Sequence, residues 1–170
     1  EAKFGKASDF KVKPIDGTDP MVMSFPNSNP ESDFNGLDVY HGGEPNGGSD
    51  WLVNQYTIIA DLYYTVRSYN KIRALVALND FEGAQFLIGT SNGIGSSSFS
   101  GKLRPNGWYR VALTIDHVIG EINYYIDGDF VGTEQIKQIQ DDDGKYAMED
   151  VFYLFKNTSD TFGGFISSLQ

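Results

Sequence analysis

Three aspartates stand inside stretches where polar and apolar residues alternate: Asp61, Asp116 and Asp127. Cleaving a glycosidic bond takes a pair of carboxylates, one as acid and the other as base or nucleophile. Each of these three stands alone in its stretch, so they read as strand-edge or turn carboxylates. Gly89-Thr-Ser-Asn-Gly93 carries the letters of a nucleophile elbow, a motif that needs a strand before it and a helix after it. A loop rich in Ser and Gly follows instead, and the match is fortuitous. His41 and His117, the two histidines, have no partner at metal-binding spacing and read as loop residues. The chain has no cysteine, which excludes thiol catalysis, disulfides and cysteine-held zinc. Asp141-Asp-Asp-Gly144 is rich in the oxygens that calcium takes, but Lys145 and Tyr146 fall where an EF-hand loop needs other residues.

The elements around these residues are strands. In Trp108–Asp116, Tyr109, Val111, Leu113 and Ile115 share one face, and Arg110, Ala112, Thr114 and Asp116 share the other. Ile122, Tyr124 and Ile126 alternate with Asn123, Tyr125 and Asp127. Asp127-Gly128 is a favoured hairpin turn, and Phe130-Val131 begins the return strand. Trp51 to Arg67 reads as the longest strand, and Ile72 to Leu78 as a central one, apolar on both faces. Asn79–Gly83 reads as a hairpin loop, and Gln85–Ile88 as the strand that pairs back. Phe4–Val12 reads as an opening strand with loose alternation, followed by Met21–Phe25. Leu37–Tyr40, Ala147–Phe155 and Phe165–Leu169 complete the strands, and 134–140 reads as a short helix or an irregular strand. About a dozen short strands, no convincing amphipathic helix and no internal repeat specify an all-β sandwich or barrel.

Composition narrows the classes further. The 170 residues suffice for one domain with a sizeable core. With 23 acidic and 13 basic residues the net charge is −10, which argues against a nucleic-acid backbone or an anionic membrane as partner. No apolar run approaches the roughly 20 residues of a membrane helix. The chain opens Glu1-Ala-Lys-Phe4 without a signal peptide or initiator Met, and it ends on Gln170 within a strand pattern. Both ends read as cut, which leads us to expect one domain of a larger polypeptide.

Trp108-Tyr-Arg-Val-Ala-Leu-Thr114 followed by Tyr124-Tyr-Ile-Asp-Gly-Asp-Phe-Val-Gly132 resembles the signature hairpin of laminin-G-like domains, which are concanavalin A-like jelly rolls. Gly47-Gly48, Val53–Asp61, Phe152–Phe155 and Gly164–Gln170 extend the likeness over most of the chain from about residue 36. The resemblance implies an antiparallel, two-sheet β-sandwich. Glycosidases of this sandwich carry a Glu-x-Asp-x-x-Glu strand, which is absent here and argues against that enzyme class. The resemblance therefore implies a non-catalytic module of an extracellular or cell-surface protein, probing glycans or a protein surface. A sandwich-fold hydrolase or lyase, and a spacer without ligand, are the alternatives. Sugar rings stack on aromatic faces while polar groups bond their hydroxyls. Candidates on the strand faces are Tyr63, Arg67, Arg110 and Tyr125; candidates on the glycine-rich rim are Asn46, Asp50 and Trp51. Trp108 reads as a core anchor. Such sandwiches often hold calcium on loops, with an Asp where this chain has Ser167. Asp16, Asp19, Asn157 and Asp160 are the residues left to hold an ion, if their loops meet.

Overall fold

Alternation turns into two antiparallel sheets. In the computed structural model, which describes residues 1–29, 31–79, 83–138 and 144–170, the strands in chain order are β1 (Lys3–Lys6), β2 (Met21–Phe25), β3 (Leu37–Tyr40), β4 (Gln55–Tyr63) and β5 (Arg73–Ala77). Then come β6 (Phe86–Ile88), β7 (Ile94–Gly95), β8 (Phe99–Ser100), β9 (Trp108–Asp116), β10 (Glu121–Ile126), β11 (Asp129–Gln135), β12 (Val151–Leu154) and β13 (Gly164–Leu169). Seven strands run β1-β2-β13-β4-β9-β10-β11; the other six run β3-β12-β5-β6-β7-β8. All strand pairings are antiparallel, and no described helix is long and apolar enough to cross a membrane.

The expected faces of β4, β9 and β10 hold. Ile58, Ala60, Leu62, Val111, Leu113, Ile115, Ile122 and Tyr124 are buried and meet Leu75, Val76, Phe86, Ile88, Phe152 and Leu154 from the other sheet. Each buried Val, Leu, Ile or Phe among them contributes roughly 1.5–3 kcal/mol by leaving water. Phe25 stacks on Phe155 with ring centroids 3.6 Å apart. The Asp127-Gly128 turn forms as read, with both residues at positive φ (53° and 87°).

Several elements differ from the sequence reading. The stretch Trp51–Arg67 is not one strand: β4 occupies only Gln55–Tyr63, and Val66–Ser68 forms a 3-10 turn capped by the Thr65 hydroxyl. Ala147–Phe155 shortens to β12 because Met148 is tied to Val53 in an isolated bridge. The opening segment is a strand only to Lys6. Ala7–Phe10 then forms a 3-10 turn whose first N–H groups are held by Asp9 and Asp19. The Ser/Gly loop contains the two short strands β7 and β8. The expected hairpin loop at 79–83, the element at 134–140 and the acidic run 141–144 lie partly or mostly outside the described residues.

That opening turn changes the outer face of the seven-stranded sheet. Ala7, Val12, Val22 and Tyr63 form a second small core there, with Phe10, Trp108 and Phe165 packed against it. The sandwich's two flanks also differ. On one, Glu134 of β11 reaches across to the turn between β7 and β8. On the other, Phe4 and Met21 share the inward face of Met23, yet they are 75% and 60% exposed, because the six-stranded sheet ends at β3.

Candidate functional site

The glycine-rich rim is a built loop. Asn46 organises it: its Oδ1 accepts the N–H groups of Asn54 and Gln55, each at 2.8 Å, and its Nδ2 donates to the Gln55 carbonyl at 2.8 Å. Ser49 Oγ accepts from the backbone of Trp51 and Leu52. Gly47 takes a φ of 62°, and a Cβ there would lie 2.8 Å from both Asn54 Cβ and Val118 Cγ2, so only glycine suits that position. The result holds Trp51 out from the body with 83% of its surface exposed. An indole standing in water at the end of so many local bonds is an unusual disposition for so large an apolar group.

Trp51 borders an open groove of about 780 Å³, within the size range of ligand pockets. Asp50 and Trp51 line it together with Glu149, Asp150, Tyr153 and Asn79, and the Val53–Met148 bridge brings the two segments side by side. Glu149, Asp150 and Tyr153 are positioned by β12 and by His41, whose Nε2 meets the Glu149 carbonyl while its Nδ1 accepts from Gly43 at 2.8 Å. Tyr153 points outward because Phe152 and Leu154 point into the core. Its ring lies 4.1 Å beneath the Lys156 ammonium. The groove thus combines an open aromatic face with carboxylates and an amide, a composition that suits a polyhydroxylated ligand.

The sequence candidates separate into distinct places. Asp50 and Trp51 meet in the groove. Asn46 does not line it, and its side chain holds the loop instead. Tyr63 offers no open face: it is 5% exposed beneath the N-terminal turn, in contact with Trp108 and Phe165, and burial raises its phenol pKa. Trp108 belongs to that second core, and its indole N–H donates to the Lys13 carbonyl at 2.7 Å. Arg67 is exposed beside a different hollow, lined also by Pro26 and Phe165. Tyr125 packs edge-on against Phe130 on the outer face of the seven-stranded sheet, near Arg110. Glu149, Asp150 and Tyr153 were not singled out by sequence; the outward half of the β12 alternation was the available signal for Tyr153.

The four calcium candidates do not make one site. Asp19 accepts from Ser8 N and Ser8 Oγ, at 2.9 and 2.7 Å, which lowers its pKa. Asp16 sits in the turn bridged by Ile15 and Thr18. Asn157 instead bonds Ser159 and the Ala84 N–H, and Asp160 lines a small hollow with Asn27 and Asn29. Among the described residues no group of three or more His, Cys, Asp or Glu side chains is arranged to hold a metal ion.

The lone strand aspartates have structural partners. Asp116 accepts from Gln55 Nε2 and from the backbone of Val118 and Ile119, and Asp127 accepts from Arg110 N at 2.8 Å. Asp61 receives Arg110 Nε and Nη2, each at 2.7 Å, and Ser168 Oγ at 2.7 Å. Chiefly the Arg110 contact, and then Ser168, overcome burial to hold the Asp61 carboxyl below the usual range. A depressed folded pKa stabilises the native state above the unfolded value, near 3.9, and that contribution is lost as pH falls through the folded value. The Arg110 side chain is 57% exposed, so solvent screens the pair and keeps its contribution small. Asp61→Asn should lower the melting midpoint at pH 7 by no more than about 4 °C. A pH series of melting curves should show the two proteins converging in acid; a constant gap down to pH 2 would contradict the assignment.

No protein-family model matches the chain, and no curated protein matches it in sequence. Solved structures do match it in shape. A heptameric pentraxin from Limulus polyphemus superposes with a TM-score of 0.59 at 14% identity, over 89% of this chain and 75% of that one. Botulinum neurotoxin type C, whose uptake into cells depends on interaction with two ganglioside molecules, matches 99% of this chain at 15% identity and a TM-score of 0.51. A Trypanosoma rangeli sialidase mutant with trans-sialidase activity matches 88% of it at 12% identity and a TM-score of 0.50. The chain spans 42% and 27% of those two longer proteins. The likeness is one of fold: the chain is a concanavalin A-like jelly-roll sandwich.

Proposed function

We propose that this jelly roll is a non-catalytic carbohydrate-recognition module of an extracellular or surface protein, and that the Trp51 groove is where it binds. The observation that carries the reading is the indole of Trp51, 83% exposed beside a groove of about 780 Å³ and held there by the side chains of Asn46 and Ser49. A sugar ring stacked on that face would meet Asp50, Glu149 and Asp150 as hydroxyl acceptors. The non-catalytic part of the reading draws support from Asp61, Asp116 and Asp127, whose carboxylates serve arginine and backbone partners.

A glycan array, repeated with calcium and with chelator, tests this. Trp51→Ala should reduce binding at least tenfold, as loss of an exposed aromatic anchor does. It should leave the melting midpoint within about 1 °C, because the side chain packs on little. Binding unchanged in Trp51→Ala would move the site elsewhere, and silence across the whole array would defeat the sugar reading. Binding present only with calcium would assign an ion to the site.

A further inference from the structure

Resting on that reading of the groove, we infer that its ligand is an aminated glycan, one carrying free primary ammonium groups, and not a sialylated or uronic-acid glycan. The groove has one open aromatic face, Trp51; the charged groups among its described lining residues are Asp50, Glu149 and Asp150, and a cation set against them is Lys156, over the ring of Tyr153. A carboxylated sugar stacked on Trp51 would bring its charge toward three like charges, in a protein that already carries a net charge of −10. Neutral sugars escape that repulsion but gain nothing from it. An ammonium gains twice. The carboxylates attract it, and the face of an indole is the strongest aromatic side-chain partner for a cation.

Tyr153, the other aromatic of the groove, already carries an ammonium on its ring: Lys156 Nζ sits 4.1 Å from the centroid. That cation offsets one of the three carboxylates and leaves the lining acidic in balance, with Trp51 as the open aromatic face. Three carboxylates along one groove, Asp50, Glu149 and Asp150, offer an oligomer of amino sugars more than one partner. A surface ammonium–carboxylate contact at about 4 Å is worth roughly fivefold in affinity.

The test compares three oligosaccharides of equal length by calorimetry at pH 6: a β-1,4-glucosamine oligomer, its fully N-acetylated form, and a uronate oligomer. The amine form should bind at least tenfold more tightly than the acetylated form, and the uronate form least tightly. The ratio of amine to acetylated affinity should fall about fivefold between 20 and 300 mM salt, as screening shortens the reach of the carboxylates. In the double variant Glu149→Gln, Asp150→Asn that ratio should also fall severalfold, while the melting midpoint reports that the domain is folded. Equal affinity for the amine and acetylated forms, or a uronate that binds as well as either, would overturn the charge assignment and leave the sugar site standing, provided Trp51→Ala abolishes that binding. Binding of the amine oligomer that persists in Trp51→Ala would place it on some other acidic surface and overturn the inference. No binding of any of the three would overturn the inference, and the sugar reading would then stand or fall on the glycan array.

Discussion

Glu134→Gln should cost about 2–4 kcal/mol of folding free energy, read as a fall of roughly 5–15 °C in the melting midpoint. The carboxylate is 7% exposed and accepts four hydrogen bonds. Oε1 takes Ser97 N at 2.9 Å and the Ser97 hydroxyl; Oε2 takes Ser96 N at 3.2 Å and the Tyr124 hydroxyl at 2.9 Å. A hydroxyl can turn away from an intruding donor, but a backbone N–H cannot. Whichever way the amide of Gln is turned, its NH2 group confronts the N–H of Ser96 or of Ser97, and that donor is left buried without an acceptor. The pH dependence carries its own signature. Burial pushes the Glu134 carboxyl up, but the bonds from Ser97, Tyr124 and Ser96 outweigh it and hold the group below its usual value. Glu134 thus stabilises the fold above the unfolded pKa, near 4.3, and the benefit is lost as pH falls through the lower folded value. Denaturation curves from pH 7 to pH 3 should show the parent losing that increment and the Gln variant, which has nothing to titrate there, lacking it throughout. A variant within about 0.5 kcal/mol of the parent at pH 7 would show that the network is dispensable.

Arg73→Ala should be somewhat more damaging, at about 3–5 kcal/mol, and Arg73→Met should recover more than half of the loss. Arg73 is the largest of the fully buried side chains, 1% exposed at the start of β5. Its partners among the described residues are oxygens without formal charge: the carbonyls of Lys71 and Gly89, and Asn92 Oδ1 at 2.8 Å. The guanidinium also lies 5.0 Å over the ring of Tyr64. Burial pulls its pKa down, so the charge itself is a burden at this position. Asn92 Oδ1 keeps the N–H of Asn70 when the arginine is gone, which limits the polar loss. The void beneath Tyr64 is then the larger part of the cost, and a flexible apolar side chain of similar length fills it. Chemical denaturation of the two variants decides the matter. If Met proves as damaging as Ala, the charge and its acceptors sustain this corner, and the packing account fails.

The sandwich was legible because its strongest signals are local. Side chains two apart share a face whatever they pack against, so β4, β9 and β10 could be read from Ile58, Val111 and Ile122 onward. The Asp127-Gly128 turn was equally plain, since a positive φ at both positions admits few residue pairs. The site was less legible because it depends on which local units meet. Tyr63 stands on the outward face of β4, as its alternation says; the turn at Ala7–Phe10, more than fifty positions earlier, covers it. Asp50 and Trp51 belong to a loop whose glycines mark a special backbone, and the direction in which it presents the indole follows from Asn46 and Ser49 bonds that composition does not reveal. Glu149 and Asp150 read as an ordinary acidic pair ahead of a strand. They line the groove because the Val53–Met148 bridge brings their segment beside the Trp51 loop. Glu134 and Arg73, both charged and buried, run against pattern altogether.

The unequal flanks make the sandwich resemble a book bound along one spine. On the bound side the Glu134 carboxylate ties β11 to the turn between β7 and β8, and β8 approaches so closely that a Cβ on Gly132 would meet Ser100 Oγ at 2.3 Å. On the other side Phe4 and Met21 overhang β3, and the hollow between the covers, about 410 Å³, is lined largely by apolar side chains. Separating the covers at the spine breaks charged hydrogen bonds in a dry place. Separating them at the fore-edge only widens a hollow that water already reaches. Opening of this domain is therefore expected to begin at β1 and β3 and not at β11, and the Trp51 loop, which joins β3 to β4, is anchored at one end to that edge strand.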